Sequence, residues 1–141
     1  MNTHITSIEN IRHSLAHLLA AAVLEYDPKA KLGIGPTIEN GFYYDIQFSQ
    51  SFSEETLPKL EERMRTLVQQ DLPYTRRAVS SAVAREHFFD QPLKLELINE
   101  LEAKAEPITL YATGDVFVDL CRGGHVERTG EIVSDAFTLT H

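Results

Sequence analysis

At 141 residues, 43% of them hydrophobic and one of them cysteine, the chain is sized for one core and cannot carry an internal disulfide framework. Its longest apolar run, Leu18 to Leu24, falls far short of the roughly 20 residues a bilayer requires, which excludes a membrane span. A net charge of −8 excludes a free-standing, general nucleic-acid binder, because phosphate affinity rests on Lys and Arg displacing counterions. Any RNA partner must then be held mainly by other modules, with small basic patches left at Arg12 and Arg122 and at Arg76-Arg77. The lone thiol fits a reducing compartment, and Met1-Asn2-Thr3-His4 does not begin a signal peptide, so a cytoplasmic domain is expected.

Thr6-Ser7-Ile8-Glu9 fits a capping box. From Ile8 to Tyr26, apolar residues recur at spacings of three and four, which predicts a helix stopped at Asp27-Pro28. His13, His17, Ala20 and Leu24 share a stripe that is otherwise apolar, so this helix is expected to be buried on more than one side. Lys31 to Ile38 and Phe42 to Phe48 read as a hairpin around Glu39-Asn40-Gly41, with Phe42, Tyr44, Ile46 and Phe48 on one face. Gly33 and Gly35-Pro36 suggest a bulge or a close backbone approach in its first strand. Ser53 is the expected cap of a second helix that ends near Asp71, with Pro58 making its first turn irregular or its start later.

Pro73 to Val79 is a candidate strand and Ser80 to Phe88 a short helix. Leu93 to Asn99 fits either period, and its alternating start favours a strand. Ile108 to Ala112 and Val116 to Leu120 are strands joined by the turn Thr113-Gly114-Asp115, and Glu131 to Leu139 is expected to be mostly extended. With no repeat or linker, residues 1–141 read as a single α+β domain, a long N-terminal helix and further helices packed on a mainly antiparallel β-sheet.

The chemistry gathers at Asp119-Leu120-Cys121-Arg122-Gly123-Gly124-His125 and at the helical pair His13 and His17. His13, His17, Cys121 and His125 form a tetrahedral zinc set if the two segments converge, with Asp119 able to orient a ring. A core histidine or packed cysteine is the ordinary fate of each taken singly. Two other readings stay open: a Cys-His nucleophilic pair, and a metal-free hydrolytic pocket in which histidines hold a water. Lys94 is the cation available to polarise a water or hold developing negative charge. By pattern alone, Lys94 is a solvated lysine, Tyr44 a core residue, and His4, His87 and His141 surface residues.

Arg12-His13-Ser14-Leu15-Ala16-His17-Leu18-Leu19, Gly35-Pro36, Asn40-Gly41-Phe42-Tyr43-Tyr44-Asp45 and Asp119-Leu120-Cys121-Arg122-Gly123-Gly124-His125-Val126 together resemble the editing, or second additional, domain of bacterial-type threonyl-tRNA synthetase. They occur in the family's order and span nearly the whole chain. The resemblance implies an N-terminal part of a longer synthetase, with Ala136 to His141 leading toward its catalytic domain. The ubiquitin-like domain that commonly precedes this one is expected to have been cut away or to be absent from this synthetase, and Gly124 stands where the family usually has proline, which implies a more mobile loop.

The implied activity is aminoacyl-tRNA deacylation: hydrolysis of seryl-tRNA(Thr), presented as a serine-bearing tRNA(Thr) 3′ end. A missing methyl group gives a first site only about 1–3 kcal/mol of discrimination, so a second, smaller pocket must finish the selection. The resemblance assigns His13 and Lys94 to the attacking water and leaving hydroxyl. It assigns His17, Tyr44, Asp119, Cys121 and His125 to the pocket that holds the terminal adenosine and seryl group. It implies that zinc is tolerated by the histidine and cysteine set but not required. The alternatives are an alanyl-tRNA-type editing protein that deacylates seryl-tRNA(Ala), and a non-catalytic zinc module that only positions tRNA or a neighbouring domain.

Overall fold

The computed structural model describes residues 8–34, 37–38, 41–121, 123–132 and 137–139. Helix α1 spans Ile8–Tyr26 and is buried around most of its circumference, including Ser14, Leu15, Ala16, His17, Leu18 and Val23. The small residues Ala16, Ala20, Ala21 and Ala22 let other elements approach it from several directions. The proposed cap Thr6 lies outside the described residues. At its C-terminal end, buried Asp27 accepts hydrogen bonds from the backbone N–H (2.7 Å) and the hydroxyl of Ser49, tying the helix to the end of the hairpin.

The hairpin is present as two short antiparallel ladders, β1 (Lys31–Leu32) with β4 (Ile46–Gln47) and β2 (Thr37–Ile38) with β3 (Gly41–Phe42). Lys31 pairs with Gln47 and Thr37 with Phe42, so the first strand uses one residue more than the second between the ladders. That extra residue is the expected bulge. A Cβ on Gly33 would lie 3.0 Å from the Asp45 Cβ, which explains glycine at this crossing. Along the second strand the alternation holds, with Tyr44 buried between exposed Tyr43 and Asp45.

Helix α2 (Thr56–Gln69) begins later than Ser53, and Glu55 rather than Ser53 precedes it, without a side-chain cap. Ser53 and the two glutamates that follow form a separate turn, which leaves Pro58 inside the first helical turn, where no backbone N–H is needed. Leu60, Met64, Leu67 and Val68 give α2 one buried stripe that joins the α1 core.

Strands β5 (Tyr74–Val79), β6 (Ile108–Thr113) and β7 (Phe117–Leu120) form an antiparallel meander in the order β5-β6-β7. Gly114, at φ +50°, makes the β6–β7 turn. Between β5 and β6 lie α3 (Ser81–His87), capped by the Ser80 hydroxyl, and α4 (Pro92–Ala103). The strand expected at the start of Leu93 to Asn99 is therefore wrong. Pro92 sits in the first turn of α4, where its fixed φ starts a helix, and Lys94 and Ile98 are buried one turn apart. His87 is exposed, as expected; His4 and His141 lie outside the described residues.

The sheet is covered on both faces. Ile108, Leu110, Val118 and Leu120 pack with Ala84, Phe88 and Ile98 of the α3–α4 layer, whereas Phe117 joins the core built on α1 and α2. The Gln91 side chain accepts from Leu32 N–H (2.8 Å) and donates to the Ala30 carbonyl (3.2 Å), which fixes the start of α4 against β1. Beyond β7 the chain returns to the sheet, where Arg128 bridges to Pro73, and then makes one 3-10 turn, Thr129–Glu131. Of the extended tail expected from Glu131 onward, Glu131 itself lies in the 3-10 turn, residues 137–139 have no regular structure, and residues 133–136 lie outside the described residues. None of the described helices is long and apolar enough to cross a membrane.

Candidate active site

Helix α1 presents His13 and His17 from consecutive turns, and the loop after β7 brings Cys121 and His125 to the same point. One ligand atom from each of the four lies within 4.8 Å of every other. The Cys121 Sγ is 3.4 Å from His13 Nε2 and 3.3 Å from His125 Nε2. His125 is stacked between rings: its centroid is 4.1 Å from that of His13 and 4.9 Å from that of Tyr74, with Tyr111 at 4.8 Å. Phe117 closes the inner side with its ring edge-on to His17.

The sheet register explains these neighbours. Tyr74, Thr113 and Phe117 stand in one row across the three strands, and Arg76, Tyr111 and Asp119 in the next. Both rows face the histidines, because side chains two apart on a strand share a face.

The outer nitrogens of the rings are held. His13 Nδ1 donates to the Gly124 carbonyl (3.3 Å), so its neutral ring carries the proton there and Nε2 is the acceptor. His125 Nδ1 meets the buried Ser14 hydroxyl (3.0 Å), which also accepts from Val126 N–H (3.0 Å). Gly124 has φ +88°, a conformation closed to proline, so the carbonyl that sets the His13 tautomer depends on glycine at this position. Ser14, Tyr74, Tyr111 and Phe117 were not selected from the sequence. Ser14 was visible as a polar residue inside an apolar stripe, whereas the aromatic residues become neighbours only through strand register.

Below the cluster lies a buried polar network. Lys94 and Asp119 are each only 2% exposed and their charged groups meet at 2.7 Å. Lys94 Nζ also donates to the Tyr44 hydroxyl (2.8 Å), which donates to Asp119 Oδ2 (2.5 Å). Asp119 accepts in addition from Leu120 N–H (2.7 Å), and its Oδ2 is 3.4 Å from His17 Nε2. Lys94 is thus no solvated lysine. Tyr44 is a core residue, as its pattern predicts, and a member of the polar network as well.

Burial fixes the protonation states. Desolvation holds His13 below the usual histidine range and His17 well below it, and pushes His125 down to about 2. Desolvation likewise raises the Cys121 thiol to about 11. The cluster is therefore three neutral imidazoles and a protonated thiol near neutrality. A nucleophilic Cys-His pair needs the reverse, a depressed thiol beside a cationic ring, and is not supported.

Neutral imidazoles make stability depend on pH. A base whose folded pKa is depressed contributes stability above its unfolded pKa and loses it as pH falls below that value. Unfolding free energy is expected to be level above about pH 7.5 and to decline below about pH 6.5, by about 1.4 kcal/mol per pH unit for each imidazole held neutral. Urea unfolding at pH 7.5, 6.0 and 5.0 checks this; equal stability at pH 5.0 and 7.5 would contradict a neutral cluster.

The donor set fits a zinc ion. It consists of one sulfur and three imidazoles, and in each ring one nitrogen faces a partner outside the set. The remaining nitrogen of His17, Nδ1, is buried without a hydrogen-bond partner among the described residues.

On the other side of Cys121 a cavity of about 270 Å³ opens between α4 and the sheet, lined by Leu97, Leu101, Pro107, Thr109 and Leu120 among others. The site thus brings together all seven residues proposed from the sequence. His13, Cys121 and His125 are partly accessible; His17, Tyr44, Lys94 and Asp119 are buried beneath them.

Residues 108–141 match the family described as the threonyl and alanyl tRNA synthetase second additional domain. The chain is also similar to threonine–tRNA ligases. It is 49% identical over 122 residues to that of Rubrobacter xylanophilus, covering 86% of this chain and 19% of the relative. It is 46% identical over 128 residues to that of Dehalococcoides mccartyi (91% and 22%). To that of Thermotoga maritima it is 50% identical over 125 residues (86% and 19%). The chain spans about a fifth of the length of these curated relatives. An α+β domain, a match to the second additional domain over residues 108–141 and 46–50% identity to one stretch of threonine–tRNA ligases agree: over most of its length the chain is similar to the editing-domain region of threonyl-tRNA synthetases.

Proposed function

We propose that this domain hydrolyses the ester of seryl-tRNA(Thr), acting within a longer threonyl-tRNA synthetase whose other domains supply most of the tRNA affinity. The observation that carries this reading is the partly accessible His13 Nε2, a neutral acceptor whose tautomer is set by the Gly124 carbonyl. When the Cys121 thiol donates to His125 Nε2, His13 Nε2 is free to accept a proton from water. The water oxygen attacks the ester carbonyl, the tetrahedral intermediate collapses, and the ribose hydroxyl leaves with the proton returned by His13. Cys121 acts as a neutral hydrogen-bonding wall, and His125 is a rigid one, clamped by Tyr74, Tyr111 and Ser14.

Lys94 is too buried to meet substrate with its whole ammonium group, and two of its three hydrogens are engaged by Asp119 and Tyr44. This supports a positioning role, in which Lys94 holds Asp119 against His17. Zinc held by His13, His17, Cys121 and His125 would supply Lewis-acid chemistry, and we propose that hydrolysis does not depend on it.

Deacylation of seryl-tRNA(Thr) and seryl-tRNA(Ala) tests the substrate. The domain is expected to prefer the former; preference for the latter would assign an alanyl-type editing role. One retained equivalent of zinc, unfolding on chelation and no deacylation of either would assign a structural module.

A further inference from the structure

The described arginines Arg63, Arg65, Arg85 and Arg128 are each paired with a carboxylate. The side chains of Arg76 and Arg77, both exposed on the edge strand β5, make no hydrogen bond or ion pair among the described residues. In a chain of net charge −8, two unpaired neighbouring arginines call for a reason. The strand sends them to opposite faces. Arg77 joins His87 and Glu86 in a groove beside α3. Arg76 shares its face with Tyr74, whose ring stacks on His125, and pairs directly with Tyr111, which pairs with Asp119.

Strand spacing of about 4.8 Å puts Arg76 two strands, or roughly 10 Å, from Asp119 and one strand from Tyr111. Tyr111 marks the rim: its ring is 4.8 Å from His125, and its hydroxyl lies 3.0 Å from where a Cβ of Gly123 would stand. The Arg76 position therefore stands one strand beyond Tyr111, on the face of the sheet that carries the histidine cluster.

We infer that Arg76 is a phosphate-binding residue that engages the last phosphodiester of the single-stranded 3′ end and so directs the terminal ester to His13. The inference rests on the proposed deacylase reading. A guanidinium offers paired donors to phosphate oxygens, and its charge would add a local basic contact on this face of an acidic chain. Arg76 is a substrate-positioning residue, acting on binding rather than on the bond that breaks.

The test compares Arg76→Gln with Arg77→Gln, which removes the same charge from the opposite face, in deacylation of seryl-tRNA(Thr) over a range of salt. Arg76→Gln is expected to raise KM about tenfold with kcat within about twofold, and to lower the salt slope of log(kcat/KM) by about 0.7, the value of one single-strand phosphate contact. Arg77→Gln is expected to match the parent chain, Arg76→Lys to recover part of the loss, and seryl-adenosine, which has no phosphodiester, to be hydrolysed equally by the parent and Arg76→Gln. Equal effects of the two glutamine variants, an unchanged KM in Arg76→Gln, or an equal loss on seryl-adenosine would overturn the assignment. If the parent chain leaves seryl-tRNA(Thr) intact, the deacylase reading itself fails and this subsite falls with it.

Discussion

Replacing Lys94 by methionine is expected to cost about 3–5 kcal/mol of folding stability, because it strands the Asp119 carboxylate without its cation in a buried site. Domains are stable by only about 5–15 kcal/mol, so the variant would be near the limit of folding. For a chain of this size the melting temperature should fall by roughly 10–17 °C. The decisive comparison is the double variant Lys94→Met with Asp119→Leu. Removing both leaves no unpaired buried charge, although the Tyr44 hydroxyl loses both its partners, so part of the stability should return while deacylation does not. A loss below about 1 kcal/mol in Lys94→Met would mean that the pair is hydrated and that the network under the histidines is not the rigid floor described. Tyr44→Phe tests the third member. It removes one bridging hydroxyl and keeps the ring, so a smaller loss of about 1–3 kcal/mol is expected.

His13→Ala is expected to reduce kcat for seryl-tRNA(Thr) by about 10²–10⁴-fold, the range of a positioned general base. KM should change little, because the aromatic wall and the polar floor remain. Melting temperature should also change little, since His13 is the least buried of the three histidines in the cluster and, among the described residues, its hydrogen bonds go to Gly124 and Cys121. His17→Ala differs in kind. That ring is buried against Asp119 and Phe117, so its loss should lower stability and activity together. A His13→Ala variant with near-parental kcat would remove the general base from the proposed reaction.

The parts of this architecture that local rules control could be read before any coordinates. The apolar period of α1 and its stop before Pro28, the Thr113-Gly114-Asp115 turn and the bulged hairpin all depend on neighbours in sequence. The convergence of His13, His17, Cys121 and His125 was suggested by two pairs with a spacing of four, and the fold places them within ligand distance. Helix α4 was misread because of the residue that matters most within it. Counted as polar, Lys94 turns Leu93-Lys94-Leu95-Glu96 into a strand-like alternation, although it occupies the buried stripe with Ile98. A lysine neutralised by a carboxylate 25 residues away looks, in sequence, like a surface residue. The aromatic clamp on His125 was hidden for a related reason. Tyr74 comes from one strand and Tyr111 from the next, and only the register sets them around one ring.

On the proposed reading, the histidine cluster handles an ester whose amino acid must be small. Initial rates of deacylation on seryl-tRNA(Thr) and threonyl-tRNA(Thr), measured side by side with the same domain preparation, test it most directly. Hydrolysis of the seryl ester is expected at a rate at least tenfold above that of the threonyl ester, the lower limit of what exclusion of one methyl group supplies. Equal rates on both esters, or none on either, would contradict it.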